Sequence, residues 1–318
     1  MKIAILDAGT LGEDLSLTPL FRFGDVIRYD TTVPEEMASR VADVDVIVVN
    51  KVRCNAQTLR GAKQLRLICI AATGFDNIDI PYCREKGIAV CNVIGYSTDS
   101  VAQLTLAMVL SLSTNLIPYR DYVNAGKYTE SGRANAVAPV YHELCGKTWG
   151  VFGYGNIGKK VAKVAEAIGC RVLVCKRTQS DEDYPVVSFE TLCKEADILT
   201  LHSPLNEETR GILSRDRLAQ MKQDAIIVNV ARGAVLDEKA VAEAVLNGEI
   251  GGFGCDVYTN EPFDQSHPYN RLLGHPNVIL TPHMAWGAYE SRARCLDEIA
   301  ENIAAFLQGD VRCRLDLK

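Results

Sequence analysis

At 318 residues the chain is long enough for two domains of about 150 residues each, and at 47% hydrophobic, 23% charged and 7% aromatic it can bury a core in both. That composition excludes a disordered, collagen-like or disulfide-stapled chain. A net charge of -6 without a dominant basic run argues against nucleic acid or an anionic membrane as partner.

The N-terminal third alternates short apolar runs with helical ones: KIAIL, VDVIVVN (44–50), LRLICIA (65–71) and GIAVCNV (87–93). Apolar strands alternating with helices predict a mostly parallel sheet covered on both faces. MKIAILDAG is interrupted too soon by Asp7 for a signal sequence and reads as the first strand, and Ala8 to Gly12 reads as a loop. Next comes an amphipathic helix from about Asp99 to Asn115, followed by an irregular arm through residue 144. Its apolar stretch, Val101 to Leu116, carries Gln103, Thr105, Ser111, Ser113, Thr114 and Asn115 and falls short of the roughly 20 apolar residues of a membrane span. So apolar a helix must be covered, and residues 101–145 are the expected homodimer surface.

A second series of strands starts at Lys147 with KTWGVFGYG and continues through RVLVCKR, ADILTLH, AIIVNVAR, GGFGCDVY and NVILTPH. The last 30 residues are spaced as a helix that stops at Gly309. Eleven scattered cysteines, an odd number with no CxxC and no zinc-ligand spacing, predict neither a disulfide framework nor a metal site, and point to a reducing, cytoplasmic setting.

Gly153-Tyr154-Gly155-Asn156-Ile157-Gly158 is GxGxxG, flanked by a strand before, an amphipathic helix after, and a second strand from Arg171 to Cys175. In that setting Gly153 permits the tight turn, Gly155 lets backbone amides reach a pyrophosphate, and Gly158 lets helix pack on strand. The tip of the second strand reads Lys176, Arg177 and Thr178, with Asp181, Glu182 and Asp183 only beyond it. An acidic residue here would accept bonds from the ribose of NAD(H), whereas basic side chains grip a 2′-phosphate, so NADP(H) is favoured, with NAD(H) the alternative.

Three polar residues follow strands of the second series: Arg232, Glu261 and His283. Strand ends of an open α/β sheet are where ligands bind, so the three can converge. An Arg fork can hold a carboxylate and polarise a carbonyl, and a His beside a Glu can donate a proton, which suits reduction of a 2-oxo acid.

The stretches AATGFDNIDI (71–80), GYGNIG, LHSPLNEETRGIL (201–213), NVARGAVLDEKAV (229–241), GGFGCDVYTNEP (251–262) and TPHMAW (281–286), in this order, resemble the D-isomer-specific 2-hydroxyacid dehydrogenase family. The resemblance implies that Arg232, Glu261 and His283 are catalytic. It implies that Thr73 and Gly74 hold the substrate carboxylate near the nicotinamide, that Asp256 contacts the carboxamide, and that Ser203, Val230 and Ala231 line the cofactor. His202, Pro204, Thr209 and Ala285 lie in the same matching stretches and are expected beside it, with His202 shaping the site. Lys176 stands where most NAD-using members carry Asp. The fold implied is α/β, two Rossmann-like, doubly wound domains with the active site in the cleft between them. The substrate domain is discontinuous, 1–99 plus 288–318, and 100–287 forms the cofactor domain.

STDSVAQLTLAMVLSL (97–112) and PHMAW are most similar to the glycerate dehydrogenase or hydroxypyruvate reductase branch, which implies hydroxypyruvate as substrate and glyoxylate as a second one. Trp286 could wall off a small pocket, and Lys51, with Arg53, could contact the substrate. The alternatives are an NAD-dependent enzyme for another 2-hydroxy acid, and a non-catalytic dinucleotide sensor of the same fold. His142, His267 and His275 have no partner pattern and are expected to be surface or structural.

Overall fold

The computed structural model describes residues 1–177 and 183–317. Contacts divide the chain into two compact units, Met1–Ser97 with Trp286–Lys318, and Thr98–Ala285.

The first unit is a five-stranded parallel sheet of β1 (Lys2–Ile5), β2 (Asp25–Arg28), β3 (Val46–Val49), β4 (Leu67–Ile70) and β5 (Ala89–Cys91), in the order β2-β1-β3-β4-β5. Successive side chains on a strand point to opposite faces, and here both faces are apolar. Ile3, Ile5, Val46, Val48, Leu67 and Cys69 pack with Cys295, Leu296, Ile299 and Ile303 of the C-terminal helix Tyr289–Gln308. Ala4, Leu6, Ile47, Val49, Ile68 and Ile70 face the other way. The helix stops at Gly309, whose φ of +82° is a left-handed cap that glycine adopts without strain. β2 is absent from the sequence-based expectation: as an edge strand it pairs only with β1, and its outer residues, Asp25 and Arg28, are exposed and polar. Ala8 to Leu11, expected as a loop, forms a single 3-10 turn.

The second unit holds β6 (Thr148–Phe152), β7 (Arg171–Cys175), β8 (Ile198–Leu201), β9 (Ile226–Asn229), β10 (Gly252–Cys255) and β11 (Val278–Leu280), all parallel, in the order β11-β10-β9-β8-β6-β7. The strand order reverses between β6 and β8, the kind of switch point where open α/β sheets bind ligands. The helix Thr98–Ser113 buries Val101, Ala102, Thr105, Met108 and Val109 against this sheet and the helix Asn156–Ala167, while its Leu110 stays exposed. The arm expected to be irregular begins with two more helices, Leu116–Asn124 and Lys127–Ser131, set off by Asn115 at φ +52°. Among the described residues no single helix is long and apolar enough to cross a membrane.

Candidate active site and dinucleotide turn

β6 runs directly into the glycine turn, and the protein's own atoms explain two of its three glycines. A Cβ on Gly153, at φ +93°, would stand 2.5 Å from the Ser203 backbone nitrogen, and one on Gly158 would stand 2.2 Å from the Gly153 carbonyl oxygen. A Cβ on Gly155 would meet nothing within 4 Å, so no protein atom demands a glycine there. Gly155 precedes the helix that starts at Asn156 and Ile157, and it caps that helix with no side-chain hydrogen bond, so the first-turn amides are oriented as an anion cradle.

Across the switch point, β8 delivers His202 and Ser203 beside that cradle. Both ring nitrogens of His202 and the Ser203 hydroxyl are buried with no hydrogen-bond partner. Burial pushes the imidazole down to about 3, so His202 is neutral. Unpartnered buried polar atoms ordinarily carry a cost of about 1–3 kcal/mol each, which a polar ligand can relieve. Together with the open Gly155, they fit a dinucleotide. Thr209 is buried and donates its hydroxyl to the Pro204 carbonyl oxygen at 2.7 Å, which shapes the loop, while Pro204 itself is exposed. At the end of β7, Lys176 is half-buried and Arg177 exposed, and Thr178 lies outside the described residues.

The remaining candidates lie where β9, β10 and β11 end side by side, neighbours spaced about 4.8 Å apart. Past β9, Asn229 braces the turn of buried Val230 and Ala231, accepting from the Ala231 N–H and donating to the Arg232 carbonyl, each at 3.0 Å. Past β10, the fully buried Asp256 accepts from the Thr281 hydroxyl at 2.6 Å and from the N–H groups of Met284 and Ala285 at 2.8 Å. Burial raises its carboxyl above the usual carboxylate range, against the pull of these donors. The bonds hold both flanks of His283, whose φ of +53° is left-handed. His283 Nδ1 stands 2.6 Å from Glu261 Oε2, and the other oxygen of Glu261 accepts from the Tyr258 N–H at 3.0 Å. Both side chains are about a quarter exposed, at 23% and 27%. An imidazole paired with a carboxylate at a strand end can hold and release a proton, and the half-buried Arg232 guanidinium, which donates to the Ala231 carbonyl at 2.8 Å, is of the kind that binds anions.

Lys51, Thr73, Gly74 and Trp286 belong to the first unit. Lys51 is exposed on a turn whose amides at Asn50, Lys51 and Val52 converge on the buried Asp7 carboxylate. Thr73 donates its hydroxyl to the Val93 carbonyl oxygen at 2.7 Å, beside Gly74. Trp286 stands edge-on to Tyr96, ring centroids 6.3 Å apart, and packs on the first unit's core. His267, expected as surface or structural, is buried in the second unit and pairs with Glu238 at 3.0 Å, a contact no sequence motif announces.

Residues 106–285 match the family model described as D-isomer specific 2-hydroxyacid dehydrogenase, NAD binding domain. The glycerate dehydrogenase of Methylorubrum extorquens is 34% identical over 284 residues, 88% of either chain. The hydroxypyruvate reductase of Blautia hydrogenotrophica is 33% identical over 317 residues, 97% of this chain and 98% of that one. The solved structure of the TT0316 protein from Thermus thermophilus is 33% identical with a TM-score of 0.89, covering 99% of this chain and 100% of the other. The chain belongs to the D-isomer specific 2-hydroxyacid dehydrogenase family. It is a D-2-hydroxyacid dehydrogenase with two Rossmann-like units, and its cofactor is a nicotinamide dinucleotide.

Proposed function

We propose that the enzyme reduces a short 2-oxo acid, hydroxypyruvate first and glyoxylate second, to the D-2-hydroxy acid, with NADP(H) preferred over NAD(H). The contact between His283 Nδ1 and Glu261 Oε2, 2.6 Å, carries the reading. It supports His283 as the proton donor, because a carboxylate at Nδ1 stabilises the imidazolium and assigns the transferred proton to the opposite nitrogen, Nε2. Arg232, past the neighbouring strand β9, binds the substrate carboxylate and polarises its carbonyl. A bound reduced nicotinamide supplies the hydride. Gly153, Gly155 and Gly158, the first turn from Asn156, and Ser203 hold the pyrophosphate, and Asp256 faces the carboxamide. Of the first unit's residues, Thr73 and Gly74 take the carboxylate, Lys51 contacts the substrate and Trp286 restricts it to a short side chain.

Lys176 and Arg177 support the cofactor preference: the end of β7 presents two cations, and the first acidic residue described beyond it is Asp183. Two further features belong to the same reading. The exposed apolar residues Leu110, Leu116, Val123, Val137, Val140 and Tyr141 support a homodimer through 101–145, and eleven free thiols suit a reducing cytoplasm.

A kinetic panel of hydroxypyruvate, glyoxylate, pyruvate and a phenyl 2-oxo acid, each with NADH and NADPH, tests the whole. The expected order has hydroxypyruvate with NADPH first in kcat/KM, and Arg177→Asp reverses the cofactor preference. Equal kcat/KM with both cofactors removes the NADP(H) assignment. An unchanged kcat in His283→Ala removes the proton donor.

A further inference from the structure

Five aromatic and charged side chains of the second unit form a second, deeper network behind the proton-donor pair. Glu238 is the first residue of the helix Glu238–Leu246, which Asp237 caps by accepting from the Ala240 N–H. The Glu238 and His267 side chains are 12% and 6% exposed, and Glu238 Oε2 stands 3.0 Å from His267 Nε2. His267 Nδ1 accepts from the Tyr269 N–H at 3.2 Å, so that nitrogen carries no proton and Nε2–H is the donor to Glu238. The ring sits among Phe263, Tyr269 and Tyr258, with centroids 4.8, 4.9 and 6.0 Å away. The pair therefore has one hydrogen-bonded arrangement and no room to swing.

The other oxygen of Glu238 leaves the pair and reaches the loop that carries Glu261. Glu238 Oε1 accepts from the Thr259 N–H at 2.9 Å, while the preceding amide, Tyr258 N–H, donates to Glu261 Oε1 at 3.0 Å. Two successive amides of one loop are thus committed to two carboxylates, one fixed in the core and one paired with His283. The same loop rests on the turn after Arg232, since a Cβ on Gly233 would stand 2.1 Å from the Tyr258 carbonyl carbon. Held at Thr259 and resting on Gly233, the loop can present Glu261 in only a narrow range of positions.

We propose that Glu238, locked by His267, is a positioning residue for the reaction: through the Thr259 amide it sets the distance between the Glu261 carboxylate and His283. Neither Glu238 nor His267 touches the reacting atoms. The inference rests on the reading of His283 and Glu261 as the proton-donor pair. It predicts that loosening Glu238 weakens the carboxylate's grip on the imidazolium without disturbing the dinucleotide turn, which lies past other strands of the sheet. Asp256, within electrostatic reach of His283, and Asp237 at the helix cap stay the same in every variant below.

The test compares Glu238→Ala, Glu261→Gln and the double variant, measuring hydroxypyruvate reduction against pH and NADPH affinity by fluorescence titration. Glu238→Ala is expected to lower kcat about tenfold, a part of the roughly 10²- to 10⁴-fold that a fully positioned acid contributes. It should move the high-pH limb of the reduction profile to lower pH and leave the NADPH Kd within about twofold, since coupling follows contact. In the Glu261→Gln background it should cause no further loss, because residues acting through one another are non-additive. If Glu261→Gln shifts kcat and the limb while Glu238→Ala moves neither, the positioning role is overturned and the proton-donor reading stands. If Glu261→Gln itself changes nothing, both fall. Should Glu238→Ala fail to fold, Glu238→Gln replaces it and is read the same way. Its amide keeps one acceptor but turns a donor toward either Thr259 or the His267 Nε2–H.

Discussion

Thr281 donates its hydroxyl to the buried carboxylate of Asp256 at 2.6 Å, and the same carboxylate accepts the amides of Met284 and Ala285, so one side chain holds a side chain before His283 and the backbone after it. The left-handed backbone at His283 is thereby held by bonds from a neighbouring strand end and not by the loop's own preference. Asp256→Asn keeps the volume but replaces an acceptor with a donor that faces at least one of these groups. The expected result is a loss of about 1–3 kcal/mol in urea denaturation, the cost of a buried group left unpaired. Reduction should show a lower kcat with a smaller change in KM.

The glycine turn separates folding from binding. Gly158→Ala places a methyl 2.2 Å from the Gly153 carbonyl oxygen and must shift backbone, so the apoprotein loses stability. Gly155→Ala has ordinary backbone angles, φ -87°, and open space around the new methyl. It is expected to leave the apo Tm unchanged and to weaken dinucleotide binding at least about tenfold, about 1.4 kcal/mol, by blocking close approach to the amides. A titration beside a melting curve checks both.

His202 sets a pH dependence whose sign follows from its burial. Its native value is pushed from 6.5 down to about 3, so between those limits the unfolded chain binds the proton and the native protein does not. Stability from this group is complete above 6.5 and is lost as pH falls toward 3, at up to about 1.4 kcal/mol per pH unit. Urea unfolding of the apoprotein at pH 7, 6 and 5 should therefore steepen less with acid in His202→Leu than in the wild type.

The arm after the helix Leu116–Asn124 exposes Val137 at 77% and Val140 at 72%. Such side chains on a segment with few contacts of its own are expected to be covered by a second copy. The parent is expected to sediment as a dimer and the double variant Val137→Ser, Val140→Ser as a monomer at the same concentration, with unchanged far-ultraviolet circular dichroism; a monomeric parent removes the proposed dimer.

The strands were the most legible part of the sequence, because a parallel strand buried on both faces reads as an unbroken apolar run, as Val46–Val49 and Leu67–Ile70 do. β2 escaped notice since an edge strand has no such need. The helices within 116–131 escaped for a related reason: none of their residues is buried, so no apolar periodicity marks them. In the site, Glu261 and His283 were readable as strand-end residues, and they meet although 22 positions apart. Glu238 and His267 were not readable, because a buried ion pair depends on which loops the fold brings together and neither residue sits in a spacing that chemistry requires.

The C-terminal helix that closes the first unit's sheet sets an order on the making of the molecule. Ile3, Ile5, Val46 and Val48 leave the ribosome before the inserted unit, yet the side chains that cover them, Leu296, Ile299 and Ile303, are synthesised after it. The inserted unit has all six of its strands before then and can fold while the earlier one still waits with an apolar face bare. A nascent chain stalled before Tyr289 would thus carry a finished middle and an unfinished beginning, and that uncovered sheet face is where holdase chaperones would be needed.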